Sequence, residues 1–142
     1  MKQQEIFNKA AVHLMGMDGP SLDANGDACV YRGYDEDECY SFNGQMCAIG
    51  LFIDYEHYNE DIEGTGITGN QAVADAVAKS LGQEHLTDAQ LMLFADLQMA
   101  HDDTSRDDTS RIKNRKWSDG IVTALDGVAT KFHLRFDPKG AV

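Results

Sequence analysis

The stretch YSFNGQMCAIGLFI, residues 40–53, places the most apolar run of the chain directly behind an Asn43-Gly44 dipeptide. Asn-Gly favours the positive φ angles of a tight hairpin turn, and the aromatic and aliphatic residues on either side suit strands. Read this way, Tyr40-Ser41-Phe42 and Gln45 to Ile53 form a β-hairpin, with Met46 to Ile53 as a central or deeply buried strand. Gly50 inside that run marks a bulge or a close backbone approach. Cys29-Val30-Tyr31-Arg32 reads as a further short strand, which enlarges the hairpin into a small meander.

Outward from this region the apolar spacing turns helical. Ile6, Phe7, Ala10, Ala11 and Leu14 share one face of a helix that ends near Gly16. Residues 17–28, MDGPSLDANGDA, are rich in turn formers and read as a loop. Asn70 is positioned to cap a second helix with the stripe Ala72, Val73, Ala76, Val77 and Leu81, stopped by Gly82. Thr87-Asp88-Ala89-Gln90 has capping-box form and opens a third helix, whose buried face is Leu91, Leu93, Phe94, Leu97 and Ala100, towards His101. The pentapeptide DDTSR then occurs twice in succession over residues 102–111. Its polar composition predicts an exposed loop over 102–116. Ser118 and Asp119 cap a fourth helix with Ile121, Val122, Leu125, Val128, Ala129 and Phe132 on its inner face. The expected fold class is therefore α+β: a small β-hairpin or meander packed against about four α-helices, as one compact domain over 1–142.

A chain of 142 residues with 42% hydrophobic and 25% charged residues has enough material for one real core. No apolar stretch approaches the roughly 18 residues of a membrane span, and the first residues lack the apolar run of a signal peptide, so the expected location is the cytoplasm. Three cysteines without paired spacing fit reduced thiols in a reducing compartment. The formal charge of −12 argues against a duplex-DNA or anionic-membrane binder working by bulk attraction. That charge is concentrated: residues 18–63 hold twelve acidic residues against the single basic Arg32, whereas Arg106, Arg111, Lys113, Arg115 and Lys116 form a basic stretch further on.

Several elements together carry a resemblance: CVYRG at 29–33, MCAIGLFI at 46–53, Tyr58 followed by IEG at 62–64, LQMAHDD at 97–103, and a late helix after Trp117. In this order they resemble a family of short, uncharacterised proteins from bacteriophages and bacterial genomes. The chain departs from that pattern by the acidic insertion YDEDECYSFN at 34–43 and by the duplicated DDTSR. The family has no assigned activity, so the resemblance implies a phage origin and transfers no catalytic residue. By analogy with small acidic phage proteins it implies an accessory factor acting on a host protein.

Four groups of residues carry candidate chemistry. Cys47, His101 and Asp102 contain the nucleophile, base and orienting carboxylate of a small hydrolase or transferase, although a thiol in an apolar run is kept protonated and inert by burial. Cys29, Cys39, Cys47 and His57 offer soft ligands for a zinc-stabilised binding module, but their spacings match no zinc knuckle. Asp23, Asn25 and Asp27 superficially resemble a calcium loop; the glycine is displaced by one position and Tyr34 stands where the closing glutamate belongs, so the string reads as a turn. The fourth group is acidic and aromatic: Asp35, Glu36, Asp37, Glu38, Tyr40, Asp54, Tyr55, Glu56, Tyr58, Glu60, Asp61 and Glu63. Acids interleaved with tyrosines suit a binding face for a host protein with a basic, nucleic-acid-binding groove, because tyrosine buries much area at low rotamer cost. The basic stretch 106–116 is broken by Asp107 and Asp108 and lacks interleaved aromatics, which disfavours nucleic-acid contact. The sequence favours this acidic binding face over catalysis, with no cofactor required.

Overall fold

The computed structural model describes residues 1–17, 47–58, 62, 66–109 and 117–138. Among these residues the secondary structure is helical throughout, with no strand: α1 (Gln3–Gly16), α2 (Gln71–Ser80), α3 (Asp88–Thr109) and α4 (Trp117–Lys131), plus short 3₁₀ turns at Gly50–Phe52 and Tyr55–His57. The expected α+β class is thereby corrected. Tyr40 to Met46 and the Cys29–Arg32 segment lie outside the described residues, but Cys47 to Ile53 coils instead of extending. The amide of Leu51 donates to the Cys47 carbonyl (3.2 Å), that of Phe52 to Ile49 (2.9 Å) and that of Ile53 to Gly50 (3.1 Å). A segment that spends its amides on its own carbonyls cannot offer them to a partner strand. Cys47, Ala48, Ile49, Gly50, Phe52 and Ile53 are all buried, so the run has no polar alternation to distinguish a strand from a buried helical turn.

Hydrophobic burial sets the arrangement of the four helices. α1 presents Ile6, Phe7, Ala10, Ala11 and Leu14 to the interior, where they meet Leu93, Phe94 and Leu97 of α3 and Ile121 and Leu125 of α4 in one core. α3 and α4 share the most extensive contact, and α1 packs against both. Val73, Ala76 and Val77 bring α2 into the same core, and the coiled segment adds Phe52, whose ring meets Phe94 edge-on at 5.0 Å. Each fully buried aliphatic or aromatic side chain contributes on the order of 1.5–3 kcal/mol.

Local signals fix the helix ends. Asn70 accepts the Ala72 amide at 2.9 Å, and Gly82, at φ 74°, closes α2 in a Schellman motif with Gly82 donating to Lys79 and Gln83 to Ala78. The capping box of α3 forms as its spacing predicts: Thr87 Oγ1 accepts the Gln90 amide (3.1 Å) and Gln90 Oε1 accepts the Thr87 amide (3.0 Å). Gln90 is buried, and its Nε2 also reaches the Met1 carbonyl at 2.9 Å, joining the start of α3 to the segment before α1.

Two boundaries differ from expectation. α3 runs through His101 to Thr109 instead of yielding to a loop at 102, because no glycine or proline occurs between Gly82 and Gly120 and because Thr104 turns inward, 4% exposed. Residues 110–116 lie outside the described residues. α4 begins at Trp117, ahead of the expected caps. Past α4 the chain extends along α1: the Gln4 side-chain amide brackets Arg135, donating to its carbonyl and accepting its amide, each at 2.9 Å, and Phe136 meets Phe7 edge-on at 5.4 Å.

α4 closes in the same Schellman motif as α2, with His133 donating to Thr130 (3.3 Å) and Leu134 to Ala129 (2.8 Å), but the left-handed position is held by exposed His133 at φ 56°. A side chain there is strained. His133→Gly should therefore raise unfolding free energy by roughly 0.5–1 kcal/mol and His133→Val lower it. Urea denaturation checks both, and a glycine variant no more stable than the parent would contradict the left-handed cap.

Candidate functional site

The described residues that carry chemistry converge on the middle of α3. Gln98 and Asp102 stand one turn apart, and Gln98 Nε2 donates to Asp102 Oδ1 at 2.8 Å. His101 Nδ1 lies 3.0 Å from the same oxygen. A carboxylate oxygen accepts, so this geometry makes Nδ1 the donor of the pair. The His101 ring is fully buried and meets the indole of Trp117 edge-on, centroids 5.5 Å apart. Trp117 in turn donates its Nε1–H to the Leu14 carbonyl at 3.0 Å. A chain of contacts thus runs from the half-exposed Asp102 carboxylate to the end of α1, with a hydrogen bond at either end and a ring contact between imidazole and indole. Beside it, the buried Oε1 of Gln98 has no hydrogen-bond partner among the described residues.

This arrangement encloses both of the groups expected to act as nucleophile and base. Cys47 sits in the coiled segment at zero exposure, as does His101, so neither the thiol nor the imidazole has a face open to a substrate. A nucleophile must reach a substrate atom, and its base must share that contact. Of the expected Cys47, His101 and Asp102 set, the structure joins His101 to Asp102 and places Cys47 in the core.

The ligands expected for zinc divide. Cys29 and Cys39 lie outside the described residues, Cys47 is buried, and His57 is partly exposed in the second 3₁₀ turn, 3.7 Å from Glu56. Among the described residues no group of three metal-binding side chains converges. Asp23, Asn25, Asp27 and Tyr34 also lie outside them. Of the acidic set, Asp35, Glu36, Asp37, Glu38, Tyr40, Glu60, Asp61 and Glu63 are outside the described residues. Asp54 and Glu56 are exposed, and the backbone of Tyr55 lies in the 3₁₀ turn between them. Asp54 is held by its amide, which donates to Ser80 Oγ at 2.9 Å, so α2 anchors this edge. Tyr58 is partly buried against the core.

The partners that sequence reasoning missed are Gln98 and Trp117. A buried indole needs an acceptor for its N–H, which signals that Trp117 has a polar partner without saying which carbonyl supplies it. No protein-family model, curated protein or solved structure matches the chain. No helix among the described residues is long and apolar enough to cross a membrane.

The burial of Cys47 has a direct consequence for its reactivity. Under iodoacetamide, peptide mapping should find Cys47 unmodified in the folded protein and fully modified in urea. Native-state alkylation at the rate of a free thiol would contradict its place in the core.

Proposed function

We propose that this protein is a phage-type accessory factor that binds and modulates a host macromolecule, through the acidic, tyrosine-bearing segment spanning residues 35–63. The observation that carries this reading is the charge distribution: twelve acids against one base over 18–63, in a chain whose basic residues collect after residue 105. Such a segment presents a partner with a dense negative array. The partner of matching chemistry is a protein with a basic groove evolved for nucleic acid, such as a host defence protein, which the array would occupy as a competitor.

Two structural features support the reading. Asp54 and Glu56 lie on an edge fixed to α2, so this part of the acidic segment is held on a rigid element. The thiol and imidazole that would serve catalysis are used in the interior. No cofactor enters this proposal. The phage assignment rests on the resemblance carried by CVYRG, MCAIGLFI and LQMAHDD.

The test is a pull-down from bacterial host lysate at low and high salt, with the parent protein and with a variant carrying Asp35→Lys, Glu36→Lys, Asp37→Lys and Glu38→Lys. The reading predicts a partner retained at low salt, released at high salt, displaced by duplex DNA, and lost with the charge-reversed variant. Recovery of no partner, or of one indifferent to the reversal, would contradict it.

A further inference from the structure

We infer that the groove between α3 and α4 is a second binding surface, shaped for a basic amphipathic helix of a partner protein. This inference stands apart from the reading of the acidic segment, since it rests on different residues.

Three observations lead to it. The solvent face of α3 exposes Met92 and Met99, 54% and 58% accessible, two turns apart, with Asp96 between them and Asp103 beyond. Methionine is flexible and polarisable, and an exposed stripe of it suits an apolar surface that adapts to a bound side chain. Next to Met99 opens a groove of about 220 Å³, walled on the other side by Ala124, Gly127 and Lys131 of α4. Finally, Gly127 lies inside α4, where glycine weakens a helix, yet a β-carbon at that position would meet no atom within 4 Å. No described residue packs against that position, so the surface of α4 beside the groove is left open.

Charge selects the occupant. Lys131 Nζ is held by Asp96 at 2.6 Å, and Asp103 adds a further carboxylate to the rim, with exposed Asp126 adjacent to Gly127 on α4. Among the described residues the rim carries Asp96, Asp103 and Asp126 against Lys131 alone. A second copy docked by the same face would bring the same carboxylates against it, and like charges would oppose that pairing. A helix with leucine-type residues at i, i+3 or i+4, and i+7, flanked by lysine or arginine, places its apolar face on Met99 and the groove and its cations on the aspartates.

The experiment titrates protein labelled at its methionine methyls with a short synthetic helical peptide carrying leucines on one face and lysines on either side. A twin peptide with glutamates in place of the lysines serves as control. Expected are saturable shifts of the Met92 and Met99 methyl resonances with the lysine peptide alone. Gly127→Leu, which fills the groove, and Met99→Lys, a surface change that leaves the core intact, should each weaken binding roughly tenfold or more. Reversal of the 35–38 acids should change it by less than about twofold, which separates this surface from the acidic segment. Equal binding by both groove variants, equal binding of the glutamate twin, or Met99 shifts that arise with protein concentration alone and track a dimer in sedimentation would overturn the inference.

Discussion

The hydrogen bond from the Trp117 indole to the Leu14 carbonyl is the contact on which the arrangement of the long helices depends. Trp117 is the first residue of α4 and Leu14 belongs to the last turn of α1, so one bond of 3.0 Å ties two elements that lie about a hundred residues apart in sequence. The Leu14 carbonyl also accepts the Met17 amide at 3.3 Å, which makes the end of α1 a junction and not a frayed terminus. α3 completes the junction through His101, whose ring meets the indole edge-on and whose Nδ1 is oriented by Asp102. Once the indole is buried its N–H must be satisfied, and the Leu14 carbonyl that satisfies it holds the start of α4 against the end of α1.

That constraint explains which parts of the fold could be read from the sequence. Helices whose apolar residues recur at three and four were readable, because α1, α2, α3 and α4 each bury one stripe and expose the rest. Asn70, Thr87 and Gly82 were readable because their chemistry acts within a turn of the chain. His133 performs the same closure as Gly82, yet nothing in a histidine announces a left-handed backbone. The run 47–53 misled for the opposite reason: residues buried on all sides carry no period, so an Asn-Gly dipeptide upstream decided the reading in favour of strands. The polar repeat at 102–111 misled because composition was weighed above the absence of a helix breaker, and α3 carries on through Thr109.

The candidate site was readable as a set of residue types and unreadable as a set of roles. Cys47, His101 and Asp102 stand out by chemistry, and His101 does meet Asp102. The apolar run already implied the burial of Cys47, and what the sequence could not supply was the burial of His101. Whether an imidazole serves catalysis or architecture is decided by what covers it, and here the covering groups are Trp117 and the core. Gln98 joins the network by an i, i+4 bond within α3, whereas the Leu14 carbonyl enters it through a tertiary contact that no spacing rule encodes. The two proposed binding surfaces lie outside this network: an acidic segment held at Asp54, and a groove that α3 and α4 form between them.

The most direct test of this account is the stability of Trp117→Phe, which retains an aromatic ring in the core and removes the indole N–H. Urea denaturation followed by helical circular dichroism should show a loss of roughly 1–3 kcal/mol, the sum of a lost buried hydrogen bond and a partly filled cavity. A midpoint unchanged within about 0.5 kcal/mol would contradict it, because the junction of α1, α3 and α4 would then not depend on the bond to Leu14.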